Sequence, residues 1–122
     1  MPEIETVIEK LIRMNEYIIQ LKKIRPGTYK EYLDDITARY AVERLMQLIV
    51  DLSLDINNIL LAYNKKPAAS DFFNSFIDIA QEGVLKEDYE TVNNEIVYNS
   101  IEKTIKMYSA YMMEINRYIQ GK

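Results

Sequence analysis

Any chemistry in this chain has to be done without histidine or cysteine, because its 122 residues contain neither. That removes a histidine general base, a histidine partner for a nucleophile, a thiolate, and two side chains that most often bind transition metals. Arginine and lysine remain to hold phosphate charge, along with carboxylates and ten tyrosines. Arg39, Glu43 and Asp55 recur at spacings that share, or nearly share, one helical face. Lys22, Lys23, Arg25 and Lys30 gather about one break in the apolar pattern. Tyr89 stands in the polar stretch LKEDYETVNNEIVY (85–98), with no apolar periodicity around it. Each grouping has a plain reading. Arg39 and Glu43 make an i,i+4 surface pair, worth roughly 0.2–0.5 kcal/mol. The cations suit a helix C-terminus, although they could also hold phosphates. Tyr89 by itself is an exposed loop tyrosine. Tyrosines can stack on bases, but Tyr108, Tyr111 and Tyr118 have core periodicity and are assigned to packing and a dimer face.

The elements that must position these groups are helical. Ile4, Val7, Ile8, Leu11, Ile12, Ile18, Leu21 and Ile24 recur at threes and fours, and Pro26-Gly27 ends that helix, predicted over 3–24. Thr28 can cap a short turn, TYKEYL, with Glu31 as its reciprocal partner. Asp34 or Asp35 then opens the longest helix, 35–64. Its apolar residues around Leu45–Leu54 point in nearly every direction. Such a helix is either the centre of its own bundle or leaves a face for a second subunit. Asp51, Asp55 and Asn58 fall along one seam. After Lys65-Lys66-Pro67, Ser70 or Asp71 caps a helix over 70–82. Phe72, Phe73, Phe76, Ile77 and Ile79 form its apolar face, and Gly83 stops it. Asn93 or Asn94 caps a last helix, 94–120.

These add up to one domain spanning 1–122, with no strand pattern and no repeat. The expectation is an all-α, up-and-down four-helix bundle, helped to dimerise by the long apolar helix. A carboxylate-bridged metal pair in such a bundle wants Glu-x-x-His, so neither metal nor cofactor is expected. The formal net charge of −4 gives nucleic-acid binding no general support, and a local basic patch would have to supply it. The acidic N-terminus is not a secretory signal, and the uninterrupted apolar runs are short. The chain is expected to be cytoplasmic and to have no membrane span.

The order of features resembles a known family. Three runs carry the likeness: RYAVERLMQLIVDLSLD (39–55), FIDIAQEGVL (76–85) and the last helix. Together they are similar to the HepT-like group of the HEPN superfamily. The resemblance implies the toxin half of a toxin–antitoxin pair, a metal-independent endoribonuclease acting on tRNA or mRNA as a homodimer. Its antitoxin is a small nucleotidyltransferase. The family signature runs arginine, four to six residues, histidine, any residue, tyrosine. The arginine stabilises phosphate charge and the histidine handles protons near neutral pH.

Here YETVNNEIVYNSI fits the family's continuation from the signature tyrosine into the last helix, which places Tyr89 on that tyrosine. Leu85-Lys86-Glu87-Asp88 precedes it, and the arginine and histidine are missing. A break between Leu85 and Tyr89 is therefore expected, whether from a deletion, from residues absent from this sequence, or from natural loss. The resemblance implies that Tyr89 is modified with AMP by the antitoxin; the shared face of Arg39, Glu43 and Asp55 makes them candidate residues of the RNA cleft, with the surface ion pair the preferred reading of Arg39 and Glu43. The chain as it stands should be inactive. The alternative is a non-catalytic helical adaptor that docks a nucleotidyltransferase.

Overall fold

The computed structural model describes residues 2–85 and 97–121 and, of Phe73 and residues 97–100, the backbone alone. Among the described residues all regular structure is helical: α1 (Pro2–Ile24), α2 (Tyr29–Asp34), α3 (Ile36–Tyr63), α4 (Phe72–Gln81) and α5 (Val97–Gln120). There are five helices where four were expected. TYKEYL is a helix in its own right because both halves of its cap form. The Thr28 hydroxyl accepts from the Glu31 amide at 3.1 Å, and the Glu31 carboxylate reaches back to the Gly27 amide at 2.9 Å. Asp35 then ends α2 and caps α3 by accepting from the Ala38 amide at 2.9 Å.

The remaining ends are also local chemistry. Asp71 caps α4 through the Asn74 amide at 2.7 Å. Gly83, at φ 77°, closes the helix with two bonds, its own amide to Ala80 and the Val84 amide to Ile79. α3 ends on the same motif, with Lys65 at φ 61° in the left-handed position and the Lys66 amide on Leu61. Asn93 and Asn94, expected to cap the last helix, lie outside the described residues, as does any break between Leu85 and Tyr89.

α3 packs against all four other helices and is the centre of the bundle. Contacts fix the directions. Ser53 meets Tyr108, Asn57 meets Tyr111 and Asn64 meets Tyr118, so α3 and α5 run parallel. α1 runs antiparallel to both. Lys10 pairs with Asp55 at 3.3 Å, whereas Ile24 lies by Ile36 and Ala38 at the other end.

By length and composition α3 could cross a bilayer, contrary to the expectation from its short apolar runs. Its setting is that of a core helix. Leu45, Ile49, Leu52, Ile56 and Leu60 are buried in the bundle, and Arg44, Gln47, Asp51 and Asp55 face outward. No broad apolar face of α3 is left over, because Leu48, Val50, Leu54 and Ile59 are half-covered by its neighbours.

Two expected apolar faces are narrower than predicted. In α1, Val7, Leu11, Met14, Ile18 and Leu21 are buried, but Ile8 and Ile12 are exposed. In α4, Phe76 and Ile79 are buried with Ser75, while Ile77, about 100° around the helix from Phe76, is exposed.

Candidate functional site

The first half of α3 carries the candidate cleft residues Arg39 and Glu43, and α2 lies beside it. The two side chains are joined through a third, Tyr32, and do not pair directly. The Tyr32 hydroxyl donates to Glu43 Oε1 at 3.4 Å, and the Arg39 guanidinium lies 6.0 Å from the centre of the Tyr32 ring. Arg39 Nη1 donates to the Leu33 carbonyl, also at 3.4 Å. These are long contacts in a partly solvated place, each of modest worth. The expected Arg39–Glu43 ion pair is replaced by this arrangement because the capped α2 places a ring between them. Burial, and then the Glu43 carboxylate, push the Tyr32 phenol above its ordinary range, although Arg39 pulls the other way. At neutral pH Tyr32 is therefore a hydrogen-bond donor and cannot act as a base.

Asp55 does not join this group. It lies three turns further along α3 and pairs with Lys10 of α1. Of its expected seam, Asp51 accepts from Gln47 at 2.9 Å and Asn58 accepts from the Ala69 amide at 3.1 Å. Each is used locally, so Arg39, Glu43 and Asp55 do not converge. Tyr89 lies outside the described residues.

The cations about the α1–α2 turn are divided. Arg25 pairs with Glu102 of α5. Lys22, Lys23 and Lys30 are exposed and make no ion pair among the described residues, leaving them free to meet an anion. An open cleft of about 630 Å³ at the same turn is lined by Ile24, Pro26, Glu31, Asp34, Asp35, Ile36, Thr37 and Ala38. Its three carboxylates repel phosphate, so the cleft is not the cations' companion site. No group of three or more aspartates or glutamates able to hold a metal is gathered among the described residues.

A second polar cluster, not anticipated from the sequence, is buried where α3, α4 and α5 meet. Asn57 Nδ2 donates to Ser75 Oγ at 2.9 Å, Ser75 Oγ donates to the Phe72 carbonyl at 2.6 Å, and the Tyr111 hydroxyl donates to Asn57 Oδ1. The Ser53 hydroxyl donates to the Val50 carbonyl at 2.7 Å and lies 3.2 Å from the Tyr108 hydroxyl, which can donate to it. Burial drives the Tyr108 phenol far above its ordinary range, so it is neutral in the fold. Each of these groups has a partner, as a dry polar network requires. The available signal was Ser53 and Asn57, four apart in an otherwise apolar run, facing Tyr108 and Tyr111, three apart. The cluster is a structural lock, enclosed and without ionisable acid–base partners. Elsewhere, the buried Thr104 hydroxyl has no hydrogen-bond partner among the described residues.

Comparison with known proteins adds what the geometry does not contain. A family model described as ribonuclease HepT-like matches residues 14–89. The match ends on Tyr89 and includes two of the three runs singled out above, but not α5. A tRNA nuclease HepT of Aphanizomenon flos-aquae (strain 2012/KM1/D3) is 25% identical, over 98% of this chain and 95% of the relative. That alignment is 139 positions long against a chain of 122 residues, so it includes positions where the relative has residues and this chain has none.

Proposed function

This chain belongs to the HepT-like ribonuclease family, and on that premise we propose that it is the scaffold of an RNA-cleaving toxin, inactive in the 122-residue form. The observation that carries the reading is a junction. The family match runs up to Tyr89, the chain has no histidine anywhere, and its alignment with the relative contains positions this chain lacks. We place the lost arginine and histidine between Leu85 and Tyr89. In an intact form the arginine would neutralise charge developing on the phosphate and the histidine would shuttle protons, with no metal needed. The substrate class is RNA, with tRNA first by likeness to the relative. Lys22, Lys23 and Lys30 supply free positive charge for its backbone. Two copies of the chain would form the working cleft in the cytoplasm. A nucleotidyltransferase antitoxin would add AMP to Tyr89, and the added negative charge would repel RNA.

The test is restoration. The 122-residue chain should leave tRNA and mRNA intact. Inserting an Arg-x4–6-His segment before Tyr89 should produce cleavage that needs no divalent metal, and changing the inserted histidine to alanine should abolish it. A restored, folded chain that cuts neither RNA would overturn the reading.

The missing histidine also favours a second reading, a non-catalytic module that docks a nucleotidyltransferase and presents Tyr89. It predicts an AMP adduct on Tyr89 by mass spectrometry, and no cleavage even after restoration.

A further inference from the structure

Of the nine large apolar side chains exposed among the described residues, four crowd into residues 29–40. They are Tyr29, Leu33, Ile36 and Tyr40, with Tyr29 57% and Tyr40 62% exposed. Tyr29 and Leu33 are one turn apart on α2, and Ile36 and Tyr40 are one turn apart on α3. Tyr32 fixes how the two helices meet, since it faces Arg39 and Glu43. α2 runs antiparallel to the start of α3, its Tyr32 reaching Glu43 while its end feeds through Asp35 into Ile36. At about 100° per residue, Tyr29 and Leu33 fall to one side of Tyr32, and Ile36 and Tyr40 to one side of the line through Arg39 and Glu43. With the helices antiparallel these are the same side, so the two pairs make one patch. Exposed patches of this kind mark sites of interaction.

The charges divide across α2. Glu31 and Asp34 are turned away from the patch and line the cleft with Asp35; Ile36 borders both. Glu43 lies under the patch and is engaged by the Tyr32 hydroxyl. Beside the two rings stand Lys30, next to Tyr29, and Arg44, one turn beyond Tyr40. Both cations are exposed and make no ion pair among the described residues. Buried Tyr32 backs the Tyr29 ring, the two planes 20° from parallel and their centres 6.4 Å apart. Accessible rings among unpaired cations are the make-up of a surface that stacks bases and tracks their phosphates.

We infer that this surface is a subsite for an unpaired stretch of RNA, its bases stacked on Tyr29 and Tyr40 and its backbone along Lys30 and Arg44. The choice of RNA rests on the nuclease reading. The patch adds a preference for single strand that the missing arginine and histidine do not supply, because bases inside a duplex stack on one another and offer no face to a ring. Its place agrees with that reading. The Arg25–Glu102 pair sets the α1–α2 turn beside the start of α5, the helix that follows the stretch holding Tyr89.

The test is binding and needs no cleavage. By fluorescence anisotropy, the full chain should hold a labelled twelve-nucleotide oligoadenylate more tightly than an RNA duplex of twelve base pairs. Tyr29→Ala and Tyr40→Ala should each weaken the oligoadenylate roughly five- to a hundredfold and leave the duplex unmoved. Tyr29→Phe and Tyr40→Phe, which keep a ring, should bind as wild type does. Lys30→Gln or Arg44→Gln should each flatten the salt dependence of oligoadenylate binding by about 0.7 in the log–log slope. All six side chains are at the surface, so circular dichroism should show unchanged helix. No measurable oligoadenylate binding, tighter binding of the duplex, or alanine variants that bind as wild type would each overturn the subsite. So would alanine variants that keep RNA but lose AMP transfer to Tyr89 by a nucleotidyltransferase, which would make the patch a protein contact. Ring-dependent binding by a chain whose restored form cuts no RNA would sink the nuclease reading and keep the subsite. A restored chain that cuts RNA at an unchanged rate with both rings replaced by alanine would do the reverse.

Discussion

In the first half of α3, Glu43 accepts from Tyr32 of α2; in the second half, Asn57 accepts from Tyr111 of α5. Both are a tyrosine hydroxyl on a polar side chain, yet their surroundings differ. Glu43 is exposed and its bond is 3.4 Å long, so water can replace it. Asn57 is fully buried, and its amide also donates to Ser75. The same chemistry can thus be a removable surface contact or a lock, and the difference lies in the cost of leaving a partner unmade. The second half fixes how α3, α4 and α5 seat on one another. The Tyr32–Glu43 contact of the first half is open to change without loss of the fold.

The strongest way to break this contrast is Asn57→Ala. It removes the acceptor of Tyr111, a partner of Ser75 and packed volume together. It should cost about 2–4 kcal/mol, read as a lower denaturation midpoint at an unchanged denaturant slope. A loss of only a few tenths would mean the buried network is no lock.

Tyr108→Phe should cost less, about 1 kcal/mol at neutral pH, because Ser53 keeps its bond to Val50. Its sharper signature is alkaline. Burial keeps the folded Tyr108 protonated where the unfolded phenol, at its ordinary 10.0, has begun to ionise. Unfolding there releases a proton, so this contribution is fully present below pH 10 and falls as the pH rises past it. Denaturation curves taken on either side of pH 10 should converge for wild type and Tyr108→Phe. Curves that stay parallel would contradict the buried, neutral phenol.

The smallest effect should come from Glu43→Gln, within about 0.5 kcal/mol of wild type. It removes the carboxylate charge but keeps an acceptor for Tyr32. The Tyr32 phenol should titrate lower than before, because one of the causes raising it is gone while burial remains. Ultraviolet titration of the two proteins checks this, and an unmoved Tyr32 would show that Glu43 does not face it.

The helices and their ends were legible because their causes lie within a few residues. Thr28 with Glu31, Asp35, Asp71 and Gly83 all act within one turn of where they stand. The short capped turn proved to be a helix, and by placing Tyr32 between Arg39 and Glu43 it displaced the ion pair the spacing suggested. Asp55 sits on the predicted helix, but its partner Lys10 is 45 residues away in sequence. Ile8 and Ile12 match helical periodicity as well as Leu11 does. Period alone does not say where the buried arc of a helix ends, since that depends on which neighbours arrive to cover it.

By itself the sequence determined an all-helical chain, the punctuation of its helices, the absence of histidine and thiol chemistry, and the family to which its order of features belongs. Only the tertiary structure decided that Tyr108 and Tyr111 close a buried network with Ser53 and Asn57, that Arg39 meets Tyr32, and that Ile8 and Ile12 of α1 stay exposed. Hydrogen bonds and caps within a helix are set by residues at most about four apart. Burial joins residues as distant as Ser53 and Tyr108, 55 positions apart, and becomes defined only once the helices have packed.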